Sequence, residues 1–113
     1  MPNLYKAYRG TRLNDKPVVW ALTVDGNVVR MSRRLDPRRS LKVYNHSPDG
    51  FEWGYGGSGP AQTALAILLD YTKNKKLAVE LHQDFKWTFI SKAMPEGFNV
   101  SGSEIDEFMK KYK

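Results

Sequence analysis

The chain has 113 residues, no cysteine, a hydrophobic fraction of 41% and a formal net charge of +6. The length predicts a single domain over residues 1–113, and the hydrophobic fraction argues against disorder. The absence of thiols excludes disulfides and thiolate metal sites, and the absence of a membrane-length apolar run predicts a cytoplasmic protein without membrane contact.

Residues 1–53 are expected to form mainly strands. Leu4–Gly10 alternates between two faces and predicts the first strand, and residues 13–17 have the composition of a turn. Val18–Val24 alternates in the same way and predicts the second strand. Asp25-Gly26 predicts a type I′ hairpin turn that leads into a third strand through residues 28–31.

The segment that follows carries most of the clustered positive charge. Residues 32–39 are predicted to form an exposed basic loop, which Pro37 interrupts. Leu41 and Val43 predict one more short strand, residues 45–50 a turn, and residues 51–53 an extended piece.

A glycine-rich loop and a central helix come next. Four glycines lie between Gly54 and Gly59, and such a run forms no regular structure cheaply because each glycine loses much backbone entropy on ordering. Pro60 suits the first position of a helix, where its missing N–H costs nothing. From Ala61 onward the helix is apolar nearly all round, so we expect it to be buried.

Residues 60–112 are expected to be mainly helical. A second helix is predicted from about Lys76 to Ala93, with a core-facing stripe made of Leu77, Ala78, Leu81, Phe85, Thr88 and Phe89. Ser101 and Glu104 have capping-box spacing and begin the last helix. The predicted fold is therefore α+β: a small antiparallel sheet in the N-terminal half, packed on the buried central helix and two further helices.

The glycine-rich loop, residues 54–59, matches the pattern Gly-x-Gly-x-x-Gly. In this context backbone N–H groups and a helix N-terminus hold phosphate. The rest of the dinucleotide motif is missing, and no Lys-Ser or Lys-Thr follows Gly59 as in a Walker loop. Three interpretations stay open: a tight strand-to-helix turn, an anion-binding loop, and a loop that contacts a protein.

Aromatic and basic residues extend this candidate site. Tyr55 is expected to be exposed and able to stack on a base, whereas Trp53 is more often a core residue. The arginine run is either a solvated face or a source of bidentate phosphate contacts. The candidate ligand-binding residues are Gly54, Tyr55, Gly56, Gly57, Ser58, Gly59, Glu52, Trp53, Arg30, Arg33, Arg34, Arg38, Arg39 and His46.

The sequence gives little support for catalysis. His46 lies beside Ser47 and Asp49, but residues so close in sequence seldom converge as a catalytic triad. His82 is interpreted as a satisfied histidine at the boundary of the core, and two histidines without cysteines make no metal site. Glu52 is expected to be paired with an arginine or tuned by burial. We therefore predict no catalytic residue, no metal and no cofactor.

The block from His46 to Gln62, with Tyr8-Arg-Gly10 upstream and residues 83–86 downstream, resembles a family of short uncharacterised proteins of phages, plasmids and bacteria. The family has no established activity, so the resemblance supplies no site residue. It implies an accessory protein of a mobile element, in the host cytoplasm if a phage encodes it, with action against a bacterial defence system as a plausible role.

Three functions are consistent with these observations. The first is non-enzymatic binding of a phosphorylated small molecule, such as a nucleotide defence signal, by the glycine-rich loop and the arginines. The second is inhibition of a defence or host enzyme through a protein-binding surface that includes Trp87 and Ile90. The third is weak, non-specific binding of nucleic acid, driven by charge. The sequence leaves open whether the protein forms a homo-oligomer.

Overall fold

The computed structural model of the protein describes residues 3–112. None of the helices in this range is long and apolar enough to cross a bilayer. In chain order the elements are β1 (Leu4–Leu13), β2 (Lys16–Asp25), β3 (Val28–Arg34), α1 (Pro37–Val43), α2 (Ser58–Thr72), α3 (Lys75–Phe85), a π-helical turn (Lys86–Ile90), β4 (Phe98–Ser101) and α4 (Gly102–Lys110).

The four strands form one antiparallel sheet in the order β3-β2-β1-β4. The first hairpin turns at Asn14 and Asp15, whose φ values of +51° and +66° fit a type I′ turn. The prediction of a type I′ turn at Asp25-Gly26 is wrong. Asp25 still pairs with Val28, the loop is Gly26-Asn27, and only Gly26 has a positive φ, +60°, which is the pattern of a type II′ turn.

The α+β prediction is confirmed, with the helices on one face of the sheet. Tyr8, Ala21 and Arg33 lie side by side across β1, β2 and β3, and the hydroxyl of Tyr8 reaches Asp70 of α2. Since side chains alternate between the faces of a strand, this row marks the covered face. Eleven of the fifteen residues of α2 are buried, so the helix is central, as predicted.

The prediction of a basic loop at residues 32–39 followed by a strand at residues 41–43 is wrong. Residues 32–34 complete the edge strand β3, and residues 37–43 form the helix α1. A carboxylate oxygen of Asp36 accepts a hydrogen bond from the backbone N–H of Arg38 and caps α1, and Pro37 occupies its first turn. α2 likewise begins two residues earlier than expected, at Ser58, which places Pro60 third in the helix rather than first.

The second long helix does not stay regular to its predicted end. After Phe85 it widens into the π-helical turn, where the N–H of Ser91 donates to the carbonyl of Lys86 at 2.8 Å, five residues back. The extra residue in this turn changes which side chains face the core. Ile90 is fully buried, whereas Trp87 is 55% exposed. The prediction that Ile90 belongs to a partner surface is therefore wrong.

Gln62 connects α2 to the segment that precedes it. Its side chain is fully buried, and its carbonyl oxygen accepts from the backbone N–H groups of His46 and Ser47, at 2.8 and 3.2 Å. Its amide nitrogen donates to the hydroxyl of Ser40 and the carbonyl of Tyr44, at 2.9 and 3.0 Å. One side chain thus satisfies four polar groups between α1 and α2.

Replacing Gln62 with methionine tests this role, because the two side chains have similar volumes and methionine cannot form the four hydrogen bonds. Leaving buried polar groups unsatisfied costs about 1–3 kcal/mol each before relaxation, so we expect the free energy of unfolding to fall by roughly 2–3 kcal/mol. Urea denaturation followed by circular dichroism measures it. Gln83→Met, at an exposed position of α3, is the control and should change stability by less than about 0.5 kcal/mol.

Candidate functional site

An arginine-rimmed cleft lies where the end of β3 meets α1 and α2. We call it the arginine cleft. It has a volume of about 180 Å³. Its lining consists of Arg33, Arg34, Leu35, Asp36, Arg39, Ser40, Ala66, Leu69 and Asp70. Three arginines and two aspartates thus line the cleft together with three apolar residues.

Asp70 anchors one side of the cleft. Its side chain is only 5% exposed, and its two carboxylate oxygens accept from the hydroxyl of Tyr8 at 2.6 Å and from the guanidinium of Arg33 at 2.7 Å. Burial raises the pKa of this carboxyl, but these hydrogen bonds and the nearby charges of Arg33 and Lys73 outweigh it and hold the pKa below its usual range. Burial, together with the hydrogen bond to Asp70, raises the pKa of Tyr8.

Three of the five clustered arginines are neutralised by carboxylates. Arg30 pairs with Asp25 at 3.3 Å, Arg33 with Asp70 at 2.7 Å and Arg38 with Asp36 at 2.7 Å. Within residues 3–112, Arg34 and Arg39 form no ion pair and no side-chain hydrogen bond. Both of these arginines are among the residues that line the cleft.

The glycine-rich loop has a different character. The N–H of Gly54 donates to the carbonyl of Ile90 at 3.0 Å. The N–H groups of residues 56–59 donate to no group in the described part of the chain. However, the loop does not line the arginine cleft or any of four further cavities in the described part of the chain.

Two exposed aromatic rings explain why two of the loop residues are glycines. A Cβ atom on Gly56 would lie 2.2 Å from the ring of Trp87, and one on Gly57 would lie 2.4 Å from the ring of Tyr55. Both rings therefore rest on backbone that has no side chain. Tyr55 is 51% exposed, as the sequence predicts. The loop is a close-packed turn with two aromatic rings at its surface.

The two halves of the predicted ligand site do not meet. The arginine cleft contacts α2 at Ala66, Leu69 and Asp70, whereas the glycine-rich loop leads into Ser58. At about 1.5 Å of rise per residue, these cleft residues lie about 12–18 Å along the helix from Ser58. One phosphate group cannot contact both, so the loop and the arginines are two separate features.

Glu52 and Trp53 have structural partners that the sequence did not identify. The carboxylate of Glu52 accepts from the guanidinium of Arg12 at 2.7 and 3.3 Å. Of the two predicted alternatives, pairing with an arginine or tuning by burial, the structure shows the pairing. Trp53 is 2% exposed, its indole N–H donates to the carbonyl of Pro95, and Arg12 lies 4.7 Å from its ring centroid. Trp53 therefore has no free face on which a ligand could stack.

His46 pairs with the other histidine of the chain. The Nε2 atoms of His46 and His82 lie 2.8 Å apart, and the ring of Tyr44 stacks on His46 at 4.2 Å between centroids. The Nδ1 atom of His82 lies 2.6 Å from the carbonyl of Val79, so it carries a proton and donates. In the neutral pair, His82 Nε2 is then the acceptor and His46 Nε2 the donor.

The surroundings disfavour a positive charge on either ring. Burial lowers the pKa of His46, and the adjacent His82 and Lys86 lower it further. Burial also lowers the pKa of His82, with hydrogen bonds to the carbonyls of Val79 and Ala78 partly opposing it. Within the described range, no group of three histidine, aspartate or glutamate side chains is placed to hold a metal ion.

These features define a small α+β protein with a charged cleft between a sheet edge and two helices. The chain matches the family of unknown function DUF6166 over residues 8–111, and it belongs to that family. The three stretches that carry the resemblance noted above lie inside this range. No curated protein and no solved structure matches the chain.

The histidine pair predicts a pH-dependent stability. Because both pKa values are lowered from 6.5 in the folded chain, the unfolded chain binds more protons below about pH 6.5. The contribution of the pair to the free energy of unfolding is therefore present above about pH 6.5. It is lost as the pH falls through the pKa values of the folded chain. We therefore expect the urea concentration at the midpoint of denaturation to decrease as the pH is lowered from about 7 to about 5.

The double variant His46→Gln/His82→Gln is the control for this prediction. The sequence has no other histidine, so the variant should lose most of the change in midpoint between these two pH values. An unchanged pH profile in the variant would show that carboxylates, and not the histidine pair, cause the dependence.

Proposed function

We propose that this is a non-enzymatic binding protein that holds a phosphate-bearing ligand in the arginine cleft. The observation that carries the proposal is a pair of arginines, Arg34 and Arg39, which are lining residues of the cleft and whose side chains have no carboxylate partner in the described chain. Two such groups suit a phosphate, because each presents a planar fork of N–H donors and keeps its charge.

The electrostatics of the cleft support a compact anion rather than a polyanion. Asp25, Asp36 and Asp70 neutralise three of the five arginines, so the basic segment offers less charge than its sequence suggests. A nucleic acid gains affinity by contacting many cations along its backbone. Two arginines without carboxylate partners at one cleft match a single phosphate better than such a track.

The glycine-rich loop supports the same proposal less strongly. Its free N–H groups lie at the N-terminus of α2, where the helix dipole favours an anion. The loop lines neither the arginine cleft nor the four further cavities, and the ring of Tyr55 lies across Gly57. We therefore assign the phosphate to the cleft and treat the loop as the alternative that the experiment must separate.

The resemblance to proteins of mobile elements adds a proposed setting. We propose that the protein acts in a bacterial cytoplasm on behalf of a phage or plasmid, against a defence system. Nucleotide defence signals are the phosphorylated ligands that such a role would use. Cyclic and linear nucleotides therefore belong in the set of ligands to be tested, beside inorganic phosphate and pyrophosphate.

Isothermal titration calorimetry with these ligands tests the proposal. We expect Arg34→Gln/Arg39→Gln to weaken binding at least about tenfold, because a hydrogen bond to a charged group contributes about 1.5–3 kcal/mol and 1.4 kcal/mol is a factor of ten. Lys75→Gln/Lys92→Gln removes the same charge at exposed positions outside the cleft and should leave the affinity nearly unchanged.

The results also distinguish the cleft from the loop. If Tyr55→Ala abolishes binding and the double arginine variant does not, the ligand belongs to the loop and the proposal for the cleft is wrong. If no phosphate-bearing ligand binds the wild-type protein at millimolar concentration, the proposed function itself is wrong.

Protein binding is a second candidate function, which the exposed ring of Trp87 supports. The ring is 55% exposed, and Lys86 Nζ lies 4.4 Å from its centroid. Ile90 lies in the core, so the surface offers the two exposed aromatic rings of Trp87 and Tyr55 to a partner. Trp87→Ala should remove a host protein that co-purifies with the wild-type chain, and an identical set of co-purified proteins would count against an inhibitor that uses this face.

A further inference from the structure

The size of the arginine cleft limits what it can enclose. Pockets that hold a whole drug-sized ligand measure about 300–1,000 Å³, whereas this cleft measures about 180 Å³. It can take an anionic group and the few atoms next to it. If the proposed function is correct, the rest of the ligand must lie outside the cleft, against the surface that borders it.

That surface is the free edge of the sheet. β3 is the end strand in the order β3-β2-β1-β4, and all seven of its residues are exposed. Its last two residues, Arg33 and Arg34, line the cleft. The outer edge of β3 is thus one of the surfaces along which a ligand anchored in the cleft can continue.

The outer edge of β3 offers unpaired backbone groups. The N–H of Leu35 donates to the carbonyl of Val19 in β2 at 2.8 Å, so it points into the sheet. Because backbone groups alternate between the two sides of a strand, the N–H groups of Arg34 and Ser32 point outward. Such an edge can pair with an extended chain.

A bulge sets the length of the pairing. The register between β2 and β3 shifts at Thr23 and Val24, which leaves Arg30 as the extra residue on the edge strand. Regular pairing is thus available along Met31–Arg34. Four residues are enough for a strand in this sheet, since β4 pairs with β1 over four residues at the opposite edge.

The side chains of β3 indicate the chemistry of the partner. Met31 is 69% exposed and offers an apolar contact, while Arg34 is free to meet an anion. A second copy of β3 is a poor partner, because each copy would bring an unpaired Arg34 to the edge and no carboxylate on its strand. An anionic segment has complementary charge, and opposite charges on paired strands are stabilising.

We propose that β3 accepts an extended peptide segment of a partner protein as an added strand along Met31–Arg34, and that an anionic side chain of that segment enters the arginine cleft. The backbone edge holds the segment, and Arg34 with Arg39 recognises the anion. This inference rests on the proposed function, and it identifies the anion as part of a polypeptide.

Fluorescence anisotropy with labelled, capped octapeptides tests the inference. Three peptides of alternating valine and threonine carry phosphothreonine, glutamate or valine at one position near the end. We expect the phosphothreonine peptide to bind at least about tenfold more tightly than free phosphothreonine, the glutamate peptide to bind more weakly, and the valine peptide to bind least. In the Arg34→Gln/Arg39→Gln variant, the affinity for the phosphothreonine peptide should fall close to the affinity for the valine peptide.

Two further measurements isolate the strand pairing. Ser32→Pro removes an outward N–H and places a proline ring at the edge of the sheet. It should lower the affinity for the peptide about tenfold and leave the affinity for free phosphate unchanged. Ser32→Ala is its control. N-methylation of alternate residues in the peptide tests the same contact with the wild-type protein and does not depend on how the proline variant folds.

The outcomes separate this inference from the proposed function. If free phosphate or a nucleotide binds the cleft and the phosphothreonine peptide binds no better than free phosphothreonine, the peptide inference is wrong and the proposed function stands. The inference is also wrong if N-methylation of the peptide does not lower its affinity for the wild-type protein. If neither the peptide nor any free phosphate binds, both are wrong.

Discussion

The structure depends on the polar side chains of a helix that is almost completely buried. α2 places Gln62, Thr63 and Asp70 in buried positions, and an unsatisfied polar group there would cost more than a hydrogen bond returns. Each is satisfied by a different part of the chain. Gln62 holds the segment after α1, the hydroxyl of Thr63 donates to the carbonyl of Glu52 at 2.7 Å, and Asp70 holds Tyr8 and Arg33 from the sheet.

The arginine cleft follows from the same constraint. Asp70 draws Arg33 toward α2, and the chain then turns through Leu35 and Asp36 into α1. This turn leaves a gap between the end of the edge strand and the two helices, with Arg34 and Arg39 at its rim. The carboxylate that stabilises the fold also neutralises one arginine, so the charge available to a ligand is concentrated on the two that remain.

The sequence predicted the strands and the central helix because alternation and an all-apolar helix are local patterns. It failed at α1, where Asp36 and Pro37 are a helix cap and a first-turn proline in a helix of seven residues, too short for an apolar period to show. It failed at Ile90 because the one-residue widening of the helix leaves no trace in the spacing. The sequence could not identify the partners of Asp70 and Glu52, since these pairs join residues 37 to 62 positions apart and only the fold brings them together.

The widened turn after α3 fixes the number of residues in this part of the chain. It leads through residues 91–93 to Pro95, whose carbonyl accepts from both Arg12 and Trp53. Deleting one residue between Lys86 and Ile90 would restore a regular α-helix, rotate the residues beyond it by about 100° and shift them by about 1.5 Å. Insertions and deletions should therefore be tolerated in the exposed hairpin turns and excluded from this single turn.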